Sequence, residues 1–127
     1  MLISDEEQAA WLRLMETPLV GRVSARRLLA GFGSPQAIFR ASRAQLRGFV
    51  TAEQADQLAN PPDGFAALLA RTHNWLATAD DASPRGLLCL GDPDYPSSLL
   101  QTADPPLLLY FQGQARLLKT PGLAIVG

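Results

Sequence analysis

The chain has 127 residues, of which 47% are hydrophobic and 18% charged, enough for one globular domain or a small domain with part of another. A formal net charge of −1 indicates no particular class of partner, and a single cysteine excludes an intramolecular disulfide. No run approaches the roughly 20 apolar residues of a membrane span, and the opening "MLISDEEQAAW" lacks the pattern of a secretory signal. We therefore expect a cytoplasmic protein without a membrane partner.

Helix-capping patterns divide the first half of the chain into short helices. Ser4-x-x-Glu7, Ser42-x-x-Gln45 and Thr51-x-x-Gln54 each match the capping box, in which two backbone donors are satisfied reciprocally. Two further serines precede helical patterns and predict N-caps, Ser24 and Ser34. Together these patterns predict a compact helical bundle with helices over residues 4–16, 24–31, 35–41, 43–47, 51–59 and 63–79.

A short pattern occurs twice within this bundle, as "LVGRVSA" at residues 19–25 and "LRGFVTA" at 46–52. The repetition predicts two tight hairpins that each lead into a helix, related by a pseudo-twofold. In a helix-hairpin-helix fold, glycines in the hairpin let backbone N–H groups approach a DNA phosphate. Both copies keep one glycine, Gly21 or Gly48, but have leucine where the first glycine belongs, at Leu19 and Leu46.

The hairpins lie in the one strongly basic part of the chain. Residues 17–52 contain six arginines and no acid. The planar guanidinium of arginine can bind two phosphate oxygens at once, whereas the ammonium of lysine acts as a point charge. The first hairpin is the better candidate for a phosphate contact, because acids follow the second hairpin. Alternatively, these arginines pair with acids from other segments or meet acidic protein surfaces. The candidate nucleic-acid-binding residues are Gly21, Arg22, Ser24, Arg26, Arg27, Arg47 and Gly48.

After "DDASPRG" the pattern changes from helical to extended. The apolar runs at 87–90, 107–111 and 122–127 predict strands buried on both faces of a parallel sheet. A brief helix over "SSLL" and a helical turn within "QARLLKT" are expected between them. The predicted organisation is α+β, with an all-α domain over 1–80, a linker over 81–86, and the start of an α/β Rossmann-like domain over 87–127.

The remaining polar and reactive residues predict structural roles. Cys89 lies in an apolar run and is expected to be a buried thiol. His73 has no companion that would make a metal site, and we expect it on a helix surface. No nucleophile and base pattern indicates catalysis, and no cofactor or metal site is predicted. Three acids are expected to form turns, and two tryptophans to pack, in part between bundle and sheet: Asp92, Asp94, Asp104, Trp11 and Trp75.

Three motifs of the second half, in this order, give the chain a resemblance to a known family. "YPSSLLQTADPPLLLYFQG" followed by "LAIVG" resembles the DNA-processing protein A family (DprA/Smf). The helical half is similar to its N-terminal sterile-alpha-motif-like or helix-hairpin-helix domain. The resemblance covers nearly the whole chain but only the front part of a family member. Its motif residues are Tyr95, Pro96, Leu99, Asp104, Pro105, Pro106, Gly113 and 124–127.

The resemblance implies a cytoplasmic bacterial protein of natural transformation that binds single-stranded DNA and helps to load RecA, without making or breaking a bond. The family's DNA pocket belongs to the extended Rossmann-like domain, and only Gly127 lies at its edge. The helical part is then an accessory that contacts DNA, docks a protein or joins a second subunit in a homodimer. Two other functions are a pure protein-interaction module and the front part of a Rossmann-like nucleotide phosphoribohydrolase.

Overall fold

The computed structural model describes residues 4–119. Short helices fill its first two thirds and a two-stranded sheet its last third, which confirms the α+β class. In chain order the elements are α1 (Asp5–Glu16), α2 (Arg22–Phe32), α3 (Pro35–Arg40), α4 (Arg43–Leu46), α5 (Ala52–Leu58), α6 (Phe65–Ala77), β1 (Arg85–Cys89), α7 (Ser97–Leu100), β2 (Leu108–Gln112) and a 3-10 helix (Ala115–Lys119).

The predicted caps set the starts of most helices. At Ser42 and Thr51 both bonds of the capping box are present, so these two predictions are confirmed. Ser4 and Ser34 each accept a hydrogen bond from a backbone N–H of the first helical turn. Because each cap depends only on residues three positions apart, local sequence is enough to place these helix starts.

Ser24 is the exception among the predicted caps. Helix α2 begins at Arg22, so Ser24 lies within its first turn, and Gly21 is the N-cap residue. The prediction is wrong because the chain enters α2 directly from the turn at residues 17–20, which leaves no room for a separate cap at Ser24.

One hydrophobic cluster joins the helices to the sheet. Leu12, Leu14, Leu28 and Ile38 are fully buried side chains contributed by α1, α2 and α3. The same cluster includes residues of β1 and β2 or next to them, namely Leu87, Cys89, Leu107 and Leu108. The helices and the sheet therefore share one hydrophobic core.

The prediction of a parallel sheet is wrong, because β1 and β2 pair antiparallel. Their register runs from Arg85 opposite Gln112 to Cys89 opposite Leu108. The segment between the strands returns to the end of β1, where the Leu90 N–H donates to the Leu107 carbonyl at 2.9 Å. Burial alternates along β2, so only β1 resembles a strand covered on both faces. The third predicted strand, over 122–127, lies outside the described residues.

Several side chains are placed as their sequence context predicts. Trp75 of α6 packs edge-on against Tyr110 of β2, with ring centroids 5.8 Å apart, where the bundle meets the sheet. Trp11 belongs to the core. Asp92 accepts a hydrogen bond from the Asp94 N–H, as a turn former does. His73, in contrast, is half-buried rather than exposed, and its Nε2 atom has no partner within residues 4–119.

The buried thiol of Cys89 is expected to be unreactive in the folded protein. Burial, reinforced by the charges of Glu7 and Asp92, raises the pKa of Cys89 to about 12. Almost no thiolate exists at neutral pH, and the thiolate is the reactive form. A disulfide reagent should therefore label Cys89 slowly in the native protein and rapidly in concentrated guanidinium chloride. Labelling at equal rates in the two conditions would contradict the burial of this side chain.

Candidate nucleic-acid interface

The first hairpin connects α1 to α2 through a tight turn with leucine at a glycine position. The Val20 N–H donates to the Thr17 carbonyl at 3.3 Å, which closes a four-residue turn with Pro18 and Leu19 in the middle. Leu19 has a φ of 68°, the left-handed conformation that the third residue of a type II turn requires. The backbone at this position thus has a conformation typical of glycine, although the residue is a leucine. Leu19 is 65% exposed.

Gln54 of α5 links this turn to the second hairpin. Its Nε2 atom donates to the Leu19 carbonyl at 3.0 Å and to the Ser24 hydroxyl at 3.2 Å. Its Oε1 atom accepts from the Thr51 N–H in the capping box of α5. The two copies of the repeat therefore lie side by side, and the side chain of Gln54 supports the strained backbone at Leu19.

Replacing Leu19 by glycine is expected to stabilise the protein by up to about 1 kcal/mol. The left-handed conformation costs roughly 1–2 kcal/mol at a non-glycine residue, and the added freedom of glycine in the unfolded chain offsets roughly half of the relief. Leu19→Ala is the matched control, since it also removes the exposed side chain but keeps the Cβ atom. Urea unfolding that gave the two variants the same stability would show that the backbone at Leu19 is unstrained.

The first hairpin also presents open backbone donors. Gly21 precedes α2 with an extended backbone, and no side chain caps this helix. Within residues 4–119 no acceptor is found for the N–H groups of Gly21, Arg22 and Val23, and all three residues are exposed. In the second hairpin the Gly48 N–H already donates to the Gln45 carbonyl at 3.2 Å. The glycine N–H of the second hairpin is therefore occupied, whereas that of the first hairpin is open to an acceptor such as a phosphate group.

Four of the six arginines of the basic segment are ion-paired. Arg40 bonds Glu6 at 2.8 Å, and Arg43 bonds Asp56. Arg22 and Arg26 both bond Asp104, at 2.9 and 2.6 Å. Three acids from other segments thus neutralise half of the six positive charges in residues 17–52.

Arg27 and Arg47 are the two arginines of this segment without an ion pair in the described part of the chain. Arg27 makes only a long hydrogen bond of 3.4 Å, from its Nη1 atom to the Phe49 carbonyl. The Phe49 ring lies over Gly31 of α2, where a Cβ atom would come within 2.3 Å of the ring. This close approach holds the loop after Arg47 against the helix that carries Arg27. The exposed cations and the open donors of the first hairpin thus belong to adjoining segments.

The proline-rich context of Asp104 predicts only a turn, but in the structure this residue also pairs with Arg22 and Arg26. The hydrogen bond from Arg26, together with the charges of Arg22 and Arg26, lowers the pKa of Asp104. Arg26 also donates to the neighbouring Pro105 carbonyl at 3.2 Å, and buried Tyr95 donates from its hydroxyl to the Pro106 carbonyl at 2.8 Å. The sequence places basic residues in one segment and acidic residues in others, which is consistent with ion pairs between segments. It does not identify the partners of Asp104, because they lie far from it in sequence.

Two family models match the chain. The DprA-like N-terminal HHH domain matches residues 5–45, and DNA recombination-mediator protein A matches residues 86–127. The chain belongs to the DprA family. Neither a curated protein nor a solved structure matches it at a significant level.

Each of the two matches covers one side of the contact between α2 and the loop that carries Asp104. The first hairpin and α2 lie within the HHH match, and the loop with Tyr95 and Asp104 lies within the recombination-mediator match. Membership of the DprA family gives the chain a DNA-processing role in recombination. In this family member the contact between Asp104 and α2 thus joins the two matched regions.

One predicted site residue, Gly127 at the edge of a DNA pocket, lies outside the described residues 4–119. Across residues 4–119 no three histidine, cysteine or acidic side chains are grouped so that they could hold a metal ion. Among the helices of this range, none combines the length and apolarity that crossing a bilayer requires.

Proposed function

We propose that this DprA-family chain handles single-stranded DNA in recombination and that its first hairpin contributes a contact to the DNA backbone. The observation that carries the proposal is the set of open N–H groups at Gly21, Arg22 and Val23. They lie on a hairpin of the fold type that the HHH match names. Phosphate oxygens accept such bonds, and the positive end of the α2 dipole favours an anion there.

Contacts of this kind recognise the backbone and not the bases. The proposed binding is therefore independent of base sequence and weakens as salt increases, because each phosphate contact releases condensed counterions. Arg27 and Arg47 supply the positive charge that the ion pairs leave available.

The wider role rests on the family alone. We propose that RecA receives the bound strand in natural transformation in the cytoplasm, and that no bond is made or broken. We also propose that a Rossmann-like domain, with Gly127 at its pocket edge, supplies the main DNA contact. A homodimer fits the same role.

Fluorescence anisotropy of the 127-residue chain with labelled single-stranded oligonucleotides tests the proposal. We expect binding at low salt, similar affinity for oligonucleotides of different base composition, and a linear fall of log Kobs with log salt concentration. A double-stranded oligonucleotide of equal length measures the preference for unpaired DNA. Absence of binding at low salt would refute the role of the hairpin.

A protein-interaction module is the second candidate, and one observation favours it. Leu19 and Val23 are 65% and 59% exposed at the first hairpin, where an apolar partner would cover them. Purified RecA serves as the probe. Binding of RecA without any binding of DNA would favour this function over the first.

A further inference from the structure

Asp104 binds two arginines at once. Its Oδ2 atom lies 2.9 Å from Arg22 Nη2, and its Oδ1 atom lies 2.6 Å from Arg26 Nη1. The two arginines are one helical turn apart on α2, so their guanidinium groups converge on a single anion. In the other ion pairs found within residues 4–119, each acid meets one arginine. Two guanidinium groups that bind the two oxygens of one carboxylate can bind two oxygens of one phosphate in the same way.

This pair of arginines belongs to the hairpin with open backbone donors. Arg22 is the first residue of α2, and its own N–H has no acceptor in the described part of the chain. Asp104 neutralises one of the two positive charges, which leaves the group of three with a net charge of +1. An incoming anion therefore meets an attractive charge even while Asp104 is in place.

We propose that Arg22 and Arg26 form a phosphate site on the first hairpin, and that Asp104 occupies this site in the free protein as an internal competitor of the DNA backbone. The identity of the anion as DNA rests on the function proposed above. The phosphate site itself follows from the two arginines and the carboxylate between them.

The geometry allows Asp104 to leave the site by rotation of its side chain alone. The side chains of Asp104 and Arg22 are 43% and 52% exposed, and exposed ion pairs of this kind contribute little to stability. Arg26 also donates to the Pro105 carbonyl, and this second hydrogen bond does not involve the carboxylate. Pro105 is buried, and Tyr95 binds the Pro106 carbonyl, so the loop backbone is held independently of the carboxylate.

Asp104→Asn tests the competition, because it removes the charge and keeps the size of the side chain. In anisotropy titrations with oligothymidylate we expect this variant to bind roughly fivefold to tenfold more tightly at low salt. We also expect the salt slope to be steeper by about one unit, as one added phosphate contact predicts. Glu6→Gln is the matched control, since it makes the same charge change and frees Arg40 instead. We expect it to change the affinity less than about twofold, as a charge far from a phosphate contact does.

Equal gains for the two variants, or an unchanged salt slope for Asp104→Asn, would overturn the proposal. Asp104→Ala provides a second measurement if the asparagine variant melts at a lower temperature than the parent chain. It should show the same gain in affinity and slope, and it overturns the proposal if it shows neither.

Inorganic pyrophosphate separates this proposal from the proposed function. We expect it to shift the Nε–Hε NMR signals of Arg22 and Arg26 saturably in Asp104→Asn, and more weakly in the parent chain. Saturable shifts without any binding of DNA would support the phosphate site and refute the DNA function. Binding of DNA by the parent chain without pyrophosphate shifts in the variant would do the opposite.

Discussion

Replacing Leu28 with alanine is expected to lower the free energy of unfolding by about 3 kcal/mol, within the range of roughly 2–5 kcal/mol for buried leucines. Leu28 is 0% exposed and lies on the face of α2 that packs into the common core. Its removal leaves a cavity that the surrounding helices cannot fill completely. For a domain with a total stability of about 5–15 kcal/mol, this is a large fraction.

Urea unfolding followed by circular dichroism measures the effect. Leu100→Ala is the matched control, because Leu100 of α7 is 53% exposed and the substitution removes the same atoms. We expect this control to change the unfolding free energy by less than about 0.5 kcal/mol. Similar losses in both variants would show that α2 does not pack against the core as described.

The helices could be predicted from sequence because their signals are local. Ser42 and Thr51 form complete capping boxes with glutamines three residues later, and the predicted bounds differ from the observed ones by a residue or two. The start of α2 could not be predicted in the same way. A leucine with positive φ at the preceding turn is conformationally unfavourable, and only its contact with Gln54, from a distant segment, shows how it is held.

The direction of the strands and the ion pairs depend on contacts between distant residues. The run "LLLYF" has the same composition in a parallel or an antiparallel sheet, so periodicity alone cannot distinguish them. Likewise, the acid-free segment of six arginines indicates a polyanion site until Asp104, Glu6 and Asp56 are seen to bind four of them. Composition reports the charge of a segment but not how much of that charge is already paired.

The difference between ion-paired and unpaired arginines determines which of them should be changed to test DNA binding. Substituting Arg26 would break its bonds to Asp104 and Pro105, so a loss of binding could reflect a disturbed loop. Arg27 and Arg47 are exposed, and Arg27 makes only one long hydrogen bond. Their replacement is therefore expected to change stability by less than about 0.5 kcal/mol each.

The double variant Arg27→Glu with Arg47→Glu is expected to bind single-stranded DNA roughly 50-fold more weakly at low salt, with the salt slope reduced by about two units. Each substitution removes one phosphate contact, and each new carboxylate repels the backbone. The affinity and the slope are both obtained from anisotropy titrations over a series of salt concentrations.

The control must carry the same change in net charge, because a more acidic protein binds DNA less well wherever the acids lie. Arg71→Glu with Arg116→Glu meets this requirement with two exposed arginines of α6 and the 3-10 helix, outside the hairpins. We expect this control to retain nearly the full salt slope of the parent chain. If both double variants lose affinity and slope equally, binding depends on overall charge, and neither Arg27 nor Arg47 makes a specific contact with the DNA backbone.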